Sequence, residues 1–215
     1  MAYPIKVYDD LVGAVADWLN RADLTAVIPV FVQLAEAAFN TDERFRVPQS
    51  IVRAQAPIAS QFTTLPADYL EMVNLRLLVQ SPMVCGDQTI EYTTPADMDT
   101  LRTKYAAPGQ PRYYTITGNE IEVLPAPDQS YVSEMLYYGM VPALSTSNET
   151  NWLIAQNPDL YLYGALIQSA PYLKDDERVQ TWAQIYGARA EQLAVSTQRA
   201  RYGAAPLKMR TRSFG

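Results

Sequence analysis

Three acidic clusters hold the side chains best suited to acid–base chemistry: Asp9 with Asp10, Asp42 with Glu43, and Asp175-Asp176-Glu177. Paired carboxylates hydrolyse glycosides when one donates a proton and the other attacks or activates water. Each cluster, however, sits where a helix starts or ends, and capping and solvation account for it there. As a divalent-cation site, the last cluster lacks the glycine-turned spacing of a calcium loop. The chain has no histidine and one cysteine, Cys85. That removes the commonest general base and every Ser-His-Asp or Cys-His nucleophile system. It also leaves no intrachain disulfide and no cysteine-based zinc site. Cys85, in the MVCGDQ segment, has no histidine to activate it. Gly118-Asn119 lies between strands and outside any Gly-x-Gly-x-x-Gly pattern, so it reads as a turn and not a phosphate cradle. The expectation is a protein that is not an enzyme, with no catalytic residue, no metal and no cofactor.

Composition points to binding. Of 215 residues, 48% are hydrophobic, enough for one good core or two small ones. Tyrosine dominates the aromatics, 15 against five Phe and three Trp, and it suits surfaces with one wet end. Net charge is −6 but unevenly placed. From residue 199 onward stand Arg199, Arg201, Lys208, Arg210 and Arg212 and no acid; removing these five from the 17 bases leaves twelve against 23 acids, a body of −11. Such a body disfavours general nucleic-acid binding, and a basic tail on it reads as an arm that docks elsewhere. The start, MAYPIKVYDD, has no signal pattern, and no apolar run reaches about 18 residues. The expectation is a soluble protein made in the cytoplasm, away from membranes.

The elements follow from periodicity. Residues 8–20 form an amphipathic helix with Leu11, Val15, Trp18 and Leu19 on its apolar side. A second starts near Ile28 with Pro29 in its first turn and presents Phe31, Leu34, Ala35, Ala38 and Phe39. The pattern then alternates. Strands are predicted at 51–55 and 59–63 around Pro57, at 70–79, at 88–93 and at 131–140. A hairpin joins 112–117 to 120–124, with Gly118-Asn119 supplying the positive φ of the turn. Thr94 and Pro95 start a short helix to Tyr105. After a polar link, 145–151, a helix runs from Pro158 to about Tyr172, with Asn157 as a cap. It is apolar on most faces, and a neighbouring subunit could supply the missing cover. Asp175 caps a last helix to about Gln198, with Val179, Trp182, Ala183, Tyr186, Ala190 and Leu193 on its face. The predicted fold class is α+β: a helical bundle from residues 1–45 and 145–198, an antiparallel β-rich insertion at 46–144, and an extended basic arm at 199–215.

Four segments, in order, carry a resemblance: YDDLVGAVADWLNRADL with IPVFVQLAEAAFN, TLPADYLEMVNLRL, PRYYTITGNEIEVLPAPD, and NWLIAQNPDLYLYGALIQSAPYLKDDERVQTW. The chain resembles the head–tail adaptor (connector) proteins of tailed bacteriophages. The resemblance implies a structural subunit of the virion, assembled in the host cytoplasm as a ring, usually twelvefold, below the portal. Such a ring extends the DNA channel, passes double-stranded DNA without specific binding, and joins the capsid to the tail's nozzle or next connector. The implied partners are the portal protein, tail proteins and further copies of the chain. The implied arm would dock through Arg199, Arg201, Tyr202, Lys208, Arg210, Arg212 and Phe214. Tyr161, Tyr163, Tyr172 and Trp182 are the candidate subunit-interface residues. The alternatives are a tail-completion or stopper-type connector and a virion-associated cell-wall glycosidase.

Overall fold

A computed structural model describes residues 4–78, 88–173 and 177–202. The chain divides into two compact units, Met1–Gln49 with Val141–Gly215, and Ser50–Met140.

The first unit is helical. Helix α1 (Tyr8–Leu19) begins after Val7, which has no side-chain oxygen to cap with; instead the Asp10 carboxylate reaches back to the Lys6 and Val7 amides at 3.0 and 3.3 Å. It ends on Asn20, held left-handed at φ 53°, a conformation asparagine tolerates at a helix end. Helix α2 (Ile28–Thr41) carries Pro29 in its first turn, where the missing N–H is harmless. Its buried side is Ile28, Phe31, Val32, Ala35, Glu36 and Phe39, whereas Leu34 stands 46% exposed. Trp18 of α1 is 44% exposed. Periodicity puts both on apolar faces, and those faces are wider than the area the unit covers.

The second unit holds two sheets. The first has strand order β1 (Ile51–Ile58), β8 (Tyr131–Gly139), β3 (Tyr69–Leu77), β4 (Gln88–Thr89), all antiparallel. The second runs β2 (Phe62–Thr64), β7 (Glu120–Leu124), β6 (Tyr113–Thr117), β5 (Glu91–Tyr92). The β5–β6 pairing is parallel, so the β region is not antiparallel throughout. Leu75, Leu77, Met135 and Tyr137 of the first sheet share one core with Tyr114, Ile121 and Val123 of the second. Three expectations change here. The strand predicted to break at Pro57 runs through it, because β1 is an edge strand, where a proline's missing N–H donor is tolerated. The strand predicted at 88–93 is two short pieces in different sheets, with Ile90 buried between them. Strand β3 ends at Leu77, and its register against β8 shifts between Met72 and Asn74, which leaves Val73 46% exposed. The hairpin turns on Gly118 at φ 63°, a conformation glycine reaches without a Cβ penalty. Helix α3 (Pro95–Lys104) starts as its sequence predicts, with the Thr94 hydroxyl accepting from the Asp97 amide at 3.2 Å.

The chain then returns to the helical unit. A helix that periodicity does not reveal, α4 (Trp152–Gln156), is capped by the Asn151 side chain, which accepts from Leu153 and Ile154 at 3.0 and 2.9 Å. Asn157 interrupts it because the residue before a proline resists helical geometry. Helix α5 (Pro158–Leu173) restarts there and contains Pro171. Helix α6 (Val179–Tyr202) follows; the predicted cap Asp175 lies outside the described residues. Helix α5 is the axis of the unit, packed most extensively on α2 and α6 and also on α1 and α4. Most of its apolar side chains are therefore covered within the chain, Leu160, Tyr161, Leu162, Ala165 and Leu166 among them, while Tyr172 near its end stays exposed. Close approach of α2 depends on Gly164: an added Cβ would stand 3.1 Å from the Phe39 ring and 3.2 Å from Ala35 Cβ. Gly164→Val would wedge this helix pair apart, and we expect a loss of about 1–3 kcal/mol in chemical denaturation; unchanged stability would show the interface to be loose.

Candidate assembly surface

Several acidic side chains in the described regions act as caps or ion-pair partners. Asp10 caps α1. Asp42 accepts from the Arg44 amide at 2.9 Å and from its guanidinium at 2.6 Å. Burial pushes the Asp42 carboxyl up, but the Arg44 hydrogen bonds outweigh it and hold the pKa below the usual carboxylate range. Arg44 also lies 6.0 Å over the Tyr186 ring, joining this turn to α6. Glu177 is exposed, and Asp176 and Cys85 lie outside the described residues. Among the described residues no group of three His, Cys, Asp or Glu is placed to hold a metal, and no helix is long and apolar enough to cross a membrane.

The four predicted interface residues separate. Tyr161 is fully buried and Trp182 is 4% exposed, so neither offers surface to a neighbour. The Arg178 guanidinium covers the Trp182 ring at 5.0 Å and donates to the Trp18 carbonyl at 3.2 Å, closing the C-terminal end of α1. Tyr163 is half-buried, edge-on to Trp18 at 5.6 Å. Tyr172 is 55% exposed and touches Phe31 edge-on at 5.8 Å. Only Tyr163 and Tyr172 retain surface for an interface. Of the predicted arm, Arg199, Arg201 and Tyr202 are positions of α6, since the helix continues past Gln198 to Tyr202. Lys208, Arg210, Arg212 and Phe214 lie outside the described residues.

Tyr161 is buried for a polar reason. Its hydroxyl donates to Glu36 Oε1 at 3.1 Å and accepts from Asn151 Nδ2 at 2.6 Å. The same Glu36 oxygen accepts the Leu144 amide at 2.7 Å, and Asn151 Nδ2 also donates to the Pro142 carbonyl at 2.7 Å. One turn along α2, Asn40 Oδ1 accepts the Val141 amide at 2.8 Å. Burial raises the Glu36 carboxyl above its usual range, and the bonds from Leu144 and Tyr161 only partly offset this. The Tyr161 hydroxyl is pushed far up by burial first and the nearby Glu36 second. These groups have a structural role, and spacing along the chain gave no sign that they meet.

What remains at the surface of the helical unit is exposed apolar side chain: Trp18, Val30, Leu34, Tyr172 and Val195. The β unit adds Phe62, Val73, Tyr92, Val132 and Met140. Exposed aliphatic and aromatic groups of this kind are surface that a partner can cover.

The sequence profile of the SU10 adaptor protein family matches residues 7–210, spanning both units, and the chain belongs to that family. A search among curated proteins finds no match. Membership makes the protein a bacteriophage adaptor, a structural component of the virion that associates with other head and tail proteins.

Glu36→Gln separates charge from hydrogen bonding, because both donors use one oxygen that glutamine retains. A raised carboxyl pKa in the folded state penalises folding above that pKa, and the penalty vanishes below the unfolded value of about 4.3. Glutamine should therefore stabilise the protein most at neutral pH, with the advantage shrinking as pH falls into the ordinary carboxylate range. Urea denaturation of both proteins across pH 4–8 checks this; a constant gap would contradict it. Tyr161→Phe should cost about 1–3 kcal/mol in the same assay by removing the bridge between Glu36 and Asn151.

Proposed function

We propose that the protein forms a ring below the portal of a tailed bacteriophage, extends the DNA channel, and joins the head to the next tail component. The observation that carries this reading is the adaptor-family match, which spans both units and reaches into the basic segment. Twelve copies is the number usual in the proteins it resembles. The charge distribution supports the reading. An acidic body that faces the lumen would let like-charged DNA pass without adhering. The five bases from Arg199 onward suit docking on an acidic partner surface, for which we propose the portal. Because α6 extends to Tyr202, the docking element divides into a helical root with Arg199 and Arg201 and a distal part with Lys208, Arg210, Arg212 and Phe214. The stopper and glycosidase alternatives gain nothing from a family defined by adaptors.

Deleting residues 203–215 removes the distal part and leaves every described helix intact. The truncated protein should melt like the full-length protein yet fail to join adaptor-deficient heads in a sedimentation assay. Undiminished attachment would reject docking through the distal arm. Particles made without the protein should appear in micrographs as tailless heads that leak DNA; normal tailed particles would reject the adaptor placement itself.

A further inference from the structure

The β unit holds five bases and ten acids between residues 50 and 140. Three of the bases are engaged: Arg53 and Arg76 with Glu134, and Arg102 with Glu122 and Asp99. The remaining two, Lys104 and Arg112, are exposed, and among the described residues neither forms an ion pair. They lie at one spot. Lys104 ends α3, Arg112 leads into β6, and two half-buried tyrosines, Tyr105 and Tyr113, stand beside them with ring centres 5.7 Å apart. Lys104 Nζ is 5.4 Å from the centre of the Tyr105 ring, and the charge of Arg112 reaches both phenols. No acid occurs from Thr100 to Asn119, and Glu91, paired with Tyr113 across β5 and β6, adds one negative charge at the border. The cations prevail at Tyr105, whose phenol is held below its ordinary pKa by hydrogen bonding with Tyr113 first and by the charges of Lys104 and Arg112 after it. A place that eases a phenol toward its anion holds a carboxylate, already ionised at neutral pH, more readily.

We propose that Lys104, Tyr105, Arg112 and Tyr113 form a carboxylate-binding patch that takes an acidic side chain of the neighbouring copy; this rests on the ring reading above. The chemistry of the four groups fits that occupant. A guanidinium donates two parallel hydrogen bonds to a carboxylate, an ammonium adds a point charge, and phenol hydroxyls donate further bonds. The charge of the chain supplies the other half. The body before residue 199 carries a net charge of −11, and Asp9, Asp17, Glu120 and Glu149 are exposed with no ion pair among the described residues. Each copy thus offers surplus carboxylates, and this patch gathers the cations the β unit leaves unpaired. A cationic patch repels its own image, so the contact joins two different faces, and head-to-tail contacts of that kind close into rings. Duplex DNA is the other polyanion the proposed channel would hold. Two cations release few counterions on a duplex, and a unit with twice as many acids as bases repels one.

A carbodiimide tests the contact directly, because it joins an amine to a carboxylate only where the two touch. Adaptor-deficient heads are loaded with a mixture of unlabelled and heavy-isotope-labelled protein, treated, and digested for mass spectrometry. Lys104 should be linked to a carboxylate of this chain in peptide pairs that combine the two labels, and the partner peptide names the acid. Lys104→Arg keeps the charge and removes the amine, so it should load normally and lose the link. Lys104→Glu with Arg112→Glu should melt like the parent, since both positions are exposed, yet load about tenfold less. Fully loaded heads with no Lys104 link, links only within one copy or to another virion protein, or full loading of the charge-reversed variant would overturn the patch and leave the ring standing. Protection of Lys104 from acetylation by packaged DNA, without a link between copies, would give the patch to the duplex instead. Unsubstituted protein bound to heads as isolated copies would overturn the ring reading itself.

Discussion

The helical unit depends on a buried carboxylate. Glu36 binds the Leu144 amide and the Tyr161 hydroxyl, and Asn40, one turn away, binds the Val141 amide. The stretch leaving β8 has no sheet or helix partner for these amides, and an unpaired buried amide costs about 1–3 kcal/mol. Two polar side chains on α2 therefore decide where the returning chain runs. Asn151 continues the same path, holding the Tyr161 hydroxyl with its amide nitrogen and capping α4 with its oxygen. Once α4 is capped, Asn157 and Pro158 set the start of α5, around which the other helices assemble.

The second unit handles buried acids differently. Glu134, 4% exposed, is gripped by Arg76 at 2.6 Å, with Gln55 at 3.3 Å and Arg53 at 3.9 Å beside it. The Arg76 hydrogen bonds hold its carboxyl below the usual range, so its contribution is lost as pH falls through that depressed pKa. Glu36 has the opposite sign, since burial without a cation raises it. Acidification thus relieves a strain in one unit while removing a support from the other. Glu122 is likewise covered, by Arg102 of α3 at 2.6 Å and Gln61 at 3.0 Å, which fastens the helix to its sheet.

What the sequence revealed was local in cause. Thr94-Pro95, Gly118 and Pro29 announce a cap, a turn and a helix start from their own chemistry, and α+β order follows from the change of period. What it concealed depends on distant partners. Pro57 sits within a strand because that strand is at the edge of its sheet, and the offset at Val73 exists only against β8. Trp18 and Leu34 belong to apolar faces, but periodicity tells which side is apolar and not how much of it is covered. Tyr161 looked like an interface residue because its acceptor, Glu36, lies 125 positions away in the chain. The basic segment was legible as charge, while the reach of α6 into it was not, since Arg and Gln favour helix as readily as an unfolded tail.

The helical unit is discontinuous in sequence, and this orders its making. On the ribosome α1 and α2 emerge first, and Leu11, Val15, Phe31 and Phe39 lack the cover of the later helices until α5 is synthesised. The β unit, continuous from Ser50 to Met140, is complete in the interval and can fold by itself. The first two helices must therefore wait through the translation of a whole domain, a window in which a chaperone or a nascent neighbour can reach them. The helical unit closes only when its last helices have left the exit tunnel.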